Sequence, residues 1–141
     1  MKQKIGRIDK ADFPLLHLDN IEVKIDTGAY TSSIHCKIVA VEDTLLKCVF
    51  LDPIHPGYCE KEFVFNTYDV RKVKSSNGSI QARYRVLTEI KLFGTIYPIF
   101  LTLSNRKKMK YPVLLGRSFL TKRFMVDINA TNVSYKLKTS I

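Results

Sequence analysis

The chain has 141 residues, 45% hydrophobic and 26% charged, a length and balance expected of a single domain spanning 1–141 with a genuine core. No apolar run approaches the roughly 18 residues that suggest a membrane-crossing helix. The start, Met1-Lys2-Gln3-Lys4-Ile5-Gly6, carries no apolar leader, so a cytoplasmic location without membrane contact is expected. The formal charge of +10 is lopsided: residues 1–69 carry 8 Lys/Arg against 11 Asp/Glu, whereas residues 70–141 carry 15 against 2. So one-sided a field favours an anionic partner such as an acidic peptide, an acidic surface or nucleic acid.

In chain order, the punctuation is that of a β-protein. Ile21, Val23 and Ile25 alternate with Glu22, Lys24 and Asp26, so one face is apolar. Residues 52–60 hold Pro53, Pro56 and Gly57 and read as a loop. Val70 to Val73 and the alternating run from Ile80 to Val86 flank Ser75-Ser76-Asn77-Gly78-Ser79. Asn-Gly between two strand-like runs is the strongest short hairpin signal. Ile96 through Leu103 is nearly continuously apolar, as in a strand buried on both faces. Pro112 to Leu115 is an apolar strand that stops at Gly116, and the one predicted helix follows, from Arg117 to Arg123. Phe124-Met125-Val126 comes next, and Val133, Tyr135 and Leu137 alternate with polar residues as a last strand would. Many short strands with one short helix predict an all-β, compact barrel.

Cys36, Cys48 and Cys59 are odd in number and lack C-x-x-C spacing, so reduced, partly buried thiols are expected. His17, His35 and His55 are scattered among them. His35-Cys36 and His55 with Cys59 offer metal-binding atoms, but structural zinc sites show tighter ligand pairing, and exposed or packed histidines and thiols are favoured. There is no phosphate-binding G-x-x-x-x-G-K-[ST] loop and no H-E-x-x-H helix, so no cofactor is predicted.

The strongest candidate for chemistry is Asp26, in Ile25-Asp26-Thr27-Gly28-Ala29 at the end of an alternating strand. On this tripeptide alone, an Asx turn in which the carboxylate bonds nearby backbone N–H groups is the stronger reading. A second stretch, Leu114-Leu115-Gly116-Arg117, changes the weighing if it packs against the first. Taken with the Asn77-Gly78 hairpin between them, the arrangement resembles the retropepsin-like aspartic proteases. Within that group the chain looks most like a bacterial family often labelled "ATP-dependent zinc protease" and associated with RimK-type glutamate ligases. The closer match rests on the run from Lys24 to His35, on Arg83-Tyr84-Arg85-Val86, and on the run from Thr102 to Arg117. It extends from about Ile5 to about Asp127.

The resemblance implies a closed acid-protease β-barrel, with one short helix after Gly116, and aspartic peptidase activity. Asp26, Thr27 and Gly28 would be the catalytic turn. Ala29, the hairpin residues Ser76, Asn77 and Gly78, and Arg83, Arg85 and Arg117 would bind substrate. A single Asp-Thr-Gly cannot form a carboxylate pair within one chain, so a homodimer supplying Asp26 twice is expected. Asp127 is the in-chain competitor, but no Thr-Gly or Ser-Gly follows it. Tyr30 stands where viral relatives place an acid that pairs with the arginine of Gly-Arg, so Arg117 needs another partner or faces a ligand. The segment between Ala40 and Glu62 is long for a minimal member of the group.

The implied substrate is an acidic, glutamate-rich peptide or protein tail, which the basic half of the chain suits. A non-catalytic module that holds an acidic peptide or RNA on the same basic face is the alternative, and a metal-dependent hydrolase ranks third. Nucleic acid is not favoured, because Tyr84, Tyr97 and Tyr111 are spaced as core or strand residues rather than as a base-stacking surface.

Overall fold

Alternating burial organises the first half of the chain, and the computed structural model describes residues 2–74, 78–105 and 110–140. Strand β1 (Gln3–Ile5) leads into β2 (Ile8–Phe13), and a single 3-10 turn at Pro14–Leu16 reverses the chain into β3 (Leu18–Ile25). In β3 the predicted apolar face is the buried one, with Ile21, Val23 and Ile25 inside and Glu22 and Lys24 exposed. Strand β4 (Ser33–Glu42) follows the turn that carries Asp26, and β5 (Leu45–Phe50) and β6 (Glu62–Phe65) extend from its edge as antiparallel neighbours. The long Ala40–Glu62 segment is therefore β5 with the ends of its neighbours and the 51–61 loop that joins β5 to β6. The buried face of these strands stacks Phe50 edge-on against Phe63 and Phe65, with ring centroids 5.5 and 6.2 Å apart.

The predicted hairpin is formed by β7 (Asp69–Lys74) and the first half of β8 (Ile80–Leu92), in register from Asp69 opposite Arg85 to Lys74 opposite Ile80. Gly78 has φ +88°, a left-handed conformation that favours glycine. Ser76 and Asn77 lie outside the described residues. The rest of β8 pairs with β9 (Thr95–Ser104). The expectation that β9 is buried on both faces holds only for its second half. Ile96 and Phe100 are about half exposed, whereas Leu101 to Ser104 are buried where β4 covers them.

Strand β10 (Val113–Leu115) closes the architecture. It lies parallel to β3, with Val113 opposite Val23 and Leu115 opposite Ile25, and antiparallel to β4, with Val113 opposite Ile34. Hydrogen-bonded neighbours then run β10, β3, β2, β8, β9, β4 and back to β10, so the ring of strands is closed and the all-β expectation is met. Closure removes the raw edges that an open sheet would present on either side of the Asp26 turn. The core inside is apolar, with Phe13, Ile21, Ile34, Leu101 and Leu115 essentially inaccessible.

Two corrections concern helices. Helix α1 is shorter than predicted, Arg117–Leu120, and is followed by β11 (Phe124–Val126), which pairs parallel with β1. Residues predicted as a last strand instead form a second helix, α2 (Val133–Thr139). The cause is not local. Asn132 provides no side-chain cap, and the acceptor comes from β2: Asp9, 1% exposed, takes the N–H of Ser134 at 2.9 Å and that of Tyr135 at 3.1 Å. A carboxylate there satisfies N–H groups that a helix start leaves unpaired and complements the helix dipole.

Asp9 also accepts the N–H of Lys10 at 2.8 Å, so removing it would strand three donors at once. Asp9→Ala is expected to cost about 2–3 kcal/mol, read as a lowered urea midpoint with the α2 amides losing protection first. Unchanged protection in α2 would contradict this account of the helix.

Candidate active site

Asp26 directly follows the last residue of β3, and its surroundings hold the turn from three directions. Its N–H donates to the carbonyl of Leu115 at 2.9 Å, extending the β3–β10 pairing by one bond. The turn closes on itself through Ala29 N–H to the Asp26 carbonyl at 3.2 Å, and Gly28 N–H donates to Asp26 Oδ1 at 3.1 Å. The Asx-type bond weighed from the sequence is thus present. It leaves the carboxylate half-buried, beside exposed Thr27 and Gly28 and half-buried Ala29.

The third hold comes from the start of α1. Arg117 N–H donates to the Ala29 carbonyl and Ser118 N–H to the Tyr30 carbonyl, both at 2.9 Å. Helix donors that would otherwise lack partners thereby lock the backbone after Gly28. Gly116 N–H donates to Ser32 Oγ at 3.0 Å in a buried contact. Gly116 permits this approach because a Cβ there would lie 2.5 Å from the Thr31 carbonyl oxygen and 2.7 Å from that of Tyr30. The two signature stretches therefore pack together as predicted. Ser32, quoted in the sequence only as part of a longer match, is a support that no spacing argument identified.

Arg117 finds a partner despite Tyr30. Its guanidinium donates to the Thr27 carbonyl at 2.9 Å and sits 5.9 Å from the centre of the Tyr30 ring. Of the other predicted binding residues, Arg83 donates to Gln81 Oε1 at 3.1 Å. Arg85 makes a two-pronged bond to Asp69, Nε to Oδ1 at 2.9 Å and an NH2 to Oδ2 at 2.7 Å, and lies 4.1 Å from the centre of the Phe100 ring. Arg83 and Arg85 belong to the hairpin, whereas Arg117 belongs to the turn. Asp127 builds a separate turn, accepting Asn129 N–H at 2.9 Å through Oδ1 while its own N–H donates to the Ile5 carbonyl at 2.8 Å.

The histidines and thiols lie in separate surroundings. His35, 2% exposed, bonds Asp52 through Nε2, and His55 Nδ1 accepts the Asp52 N–H at 3.0 Å. The first bond ties the 52–60 loop to β4, and the second lies within the loop. Among the described residues no three His, Cys, Asp or Glu side chains converge as metal ligands. Cys36 and Cys48 are buried free thiols and Cys59 an exposed one. Burial, reinforced by the neighbouring Cys48, pushes the Cys36 thiol well up, which keeps it protonated.

Two outcomes test this geometry. Gly116→Ala forces backbone to move on both sides of the turn and is expected to cost about 3 kcal/mol in denaturant unfolding, and a midpoint equal to that of the parent chain would refute the close approach. The hydrogen bonds from Arg85, its charge and that of Arg71 hold Asp69 below the usual carboxylate range against the opposing effect of desolvation. A depressed folded value means that the pair supports the hairpin above the unfolded value of about 3.9 and loses that support as pH falls below it. Exchange protection of the β7 amides, corrected for intrinsic rates, should therefore drop across that acid range, and Asp69→Asn should remove this pH dependence.

With the geometry in view, similarity to known proteins becomes informative. The sequence profile of the RimB-like family, described as retropepsin-like aspartic endopeptidase RimB, matches residues 5–136. A probable alpha-L-glutamate ligase of Shewanella halifaxensis is 33% identical over 127 residues, and one of Desulfotalea psychrophila is 33% identical over 131. These alignments take in 87% and 89% of this chain but 28% of each ligase, so the chain spans just over a quarter of the length of these relatives. A Legionella pneumophila crystal structure of a protein of unknown function superposes with a TM-score of 0.72 at 28% identity, covering 95% of this chain and 99% of that one. No helix among the described residues is long and apolar enough to cross a membrane. The profile match across nearly the whole chain, over a closed ring of strands that clamps an Asp-Thr-Gly turn, establishes that the chain belongs to the RimB-like family of retropepsin-like aspartic endopeptidases.

Proposed function

We propose that this chain is an aspartic peptidase that hydrolyses peptide bonds in acidic, glutamate-rich peptides or protein tails. The observation that carries the reading is the clamped Asp26 turn, held by Leu115 and by the first N–H groups of α1 while its carboxylate stays accessible. Rigid support of this kind suits a group that must present one geometry to a reacting carbonyl. The family's description supports the reaction class, and the names of the matched ligases point to glutamate as the substrate residue. The reading takes residues 1–141 as one domain.

The chemistry needs a second carboxylate, and a two-fold homodimer supplies it as Asp26 of another copy. Two carboxylates about 3 Å apart cannot both ionise, so they hold one proton between them and titrate as a unit. The ionised member removes a proton from a water molecule, whose oxygen attacks the scissile carbonyl carbon. The protonated member donates to the carbonyl oxygen; as the C–N bond breaks, the proton taken from water passes to the leaving amine and a hydroxyl of the intermediate returns its proton to the other carboxylate. Thr27 steadies the paired turns, and Gly28 leaves room for the substrate backbone. The hairpin around Gly78 covers the cleft as a flap.

Asp26→Asn is expected to lower cleavage of a glutamate-rich peptide by about a thousandfold or more while leaving its binding nearly unchanged. Cleavage that survives this change sinks the assignment. Binding without cleavage by the parent chain, with salt-sensitive retention on RNA, supports the binding-module alternative. Sedimentation should show dimers at concentrations where activity appears, and a fully active monomer would rule out the shared pair.

A further inference from the structure

Beyond the turn lies a pocket of about 320 Å³ whose walls continue the same structure. Thr31 and Ser32, on the backbone held by α1 and Gly116, form one side, while Leu87 and Phe100 from β8 and β9 form another. Leu87 and Phe100 are each more than half exposed, although they sit on core strands. Among the described residues two cations reach the pocket, Arg85 and Arg123, and no carboxylate residue lines it. They differ in one respect. The Arg85 charge is matched by Asp69, whereas Arg123 has no carboxylate partner among the described residues.

Arg123 is held, though not neutralised. One of its terminal nitrogens donates to the Phe119 carbonyl at 2.9 Å, and its guanidinium lies 5.1 Å from the Phe119 ring centre and 5.9 Å from that of Tyr97. An arginine fixed on aromatic faces keeps donors for a further acceptor, and its rotamer entropy has already been lost. Apolar walls beside a positioned guanidinium suit one kind of guest: a carboxylate at the end of a short aliphatic stem.

We propose that this pocket is a carboxylate-accepting subsite of the cleft and that Arg123 is a specificity-determining residue for acidic substrates. This deepens the peptidase reading and rests on it for the path of the peptide, which runs from the Asp26 turn along Tyr30 and Thr31 into the pocket. The carboxylate is that of a substrate side chain or of the substrate's C-terminus, since both present the same chemistry to Arg123. Arg123 does not touch the reacting atoms. Its effect belongs in affinity and selectivity.

The test measures binding in the full chain carrying Asp26→Asn, by fluorescence anisotropy at fixed salt with labelled hexaglutamate and hexaglutamine. Arg123→Gln is expected to weaken hexaglutamate by about tenfold and to leave hexaglutamine within about twofold, with Arg123→Lys recovering part of the loss. Hexaglutamate with an amidated C-terminus separates the sources: retained sensitivity to Arg123 assigns a side-chain carboxylate, and lost sensitivity assigns the terminal one. Equal weakening of both peptides, or none, overturns the proposal. Should Arg123→Gln fail to fold, Leu87→Asp, which adds an acid to an exposed wall, decides the matter. Selective loss of hexaglutamate then supports the subsite, and undiminished binding overturns it. Because no cleavage is read, failure here leaves the peptidase proposal standing, and a chain that never cleaves can still reveal the subsite.

Discussion

The structure depends on a three-residue strand lying between two others. Val113–Leu115 pairs with the end of β3 on one side and with the start of β4 on the other, at the points where the chain enters and leaves the Asp26 turn. A turn that exposes an acid gains little from its own few bonds, because an Asx contact is easily exchanged for water. What fixes it is the simultaneous demand of β10 for partners on both edges, together with the need of α1 for acceptors at its first N–H groups. The groups that hold the turn from outside, the Leu115 carbonyl and the first N–H groups of α1, belong to elements with a hydrophobic anchor, Leu115 or Phe119, both buried. The acid is positioned by the core through the backbone.

The same logic explains the tyrosine at position 30. A carboxylate there would offer Arg117 an ion pair, and its absence turns the guanidinium onto a main-chain carbonyl, that of Thr27, and onto the ring. The clasp between turn and helix survives with different chemistry. The charge of Arg117 stays unmatched by an acid among the described residues, which adds to the positive field near the turn. Positive charge accumulates on the hairpin, with Arg117, Lys122 and Arg123 in and just after α1, because the second half of the chain builds both.

The sequence was most legible where period-two alternation and turn chemistry agreed. The buried face of β3, the hairpin opposite Asn77-Gly78 and the stop at Gly116 follow from local patterns of side-chain size and backbone freedom. Arg83, Arg85 and Arg117 were visible as cations, but their partners were not, because Asp69 and the Thr27 carbonyl reach them only through strand register or ring closure. Helix α2 was misread because Val133, Tyr135 and Leu137 alternate over too short a run to separate helix from strand. The deciding carboxylate, Asp9, lies more than a hundred residues earlier. The exposed half of β9 escaped for a related reason: β4 covers only one end of it. Neither Ser32 nor Arg123 was marked by spacing, since a serine beside a glycine and an arginine beside an aromatic ring are meetings made by the fold.

The parallel pairing of β10 with β3 has a consequence in time. Residues 23 and 113 become neighbours only after ninety residues of intervening chain have been made and looped back, a costly closure that reward follows late. During synthesis β3 emerges with one edge unfilled, and the Asp-Thr-Gly segment has neither Leu115 nor α1 to shape it. The turn around Asp26 therefore takes its shape only after residues 113–118 have been made. Partial chains carry the acid without the backbone contacts that fix its turn.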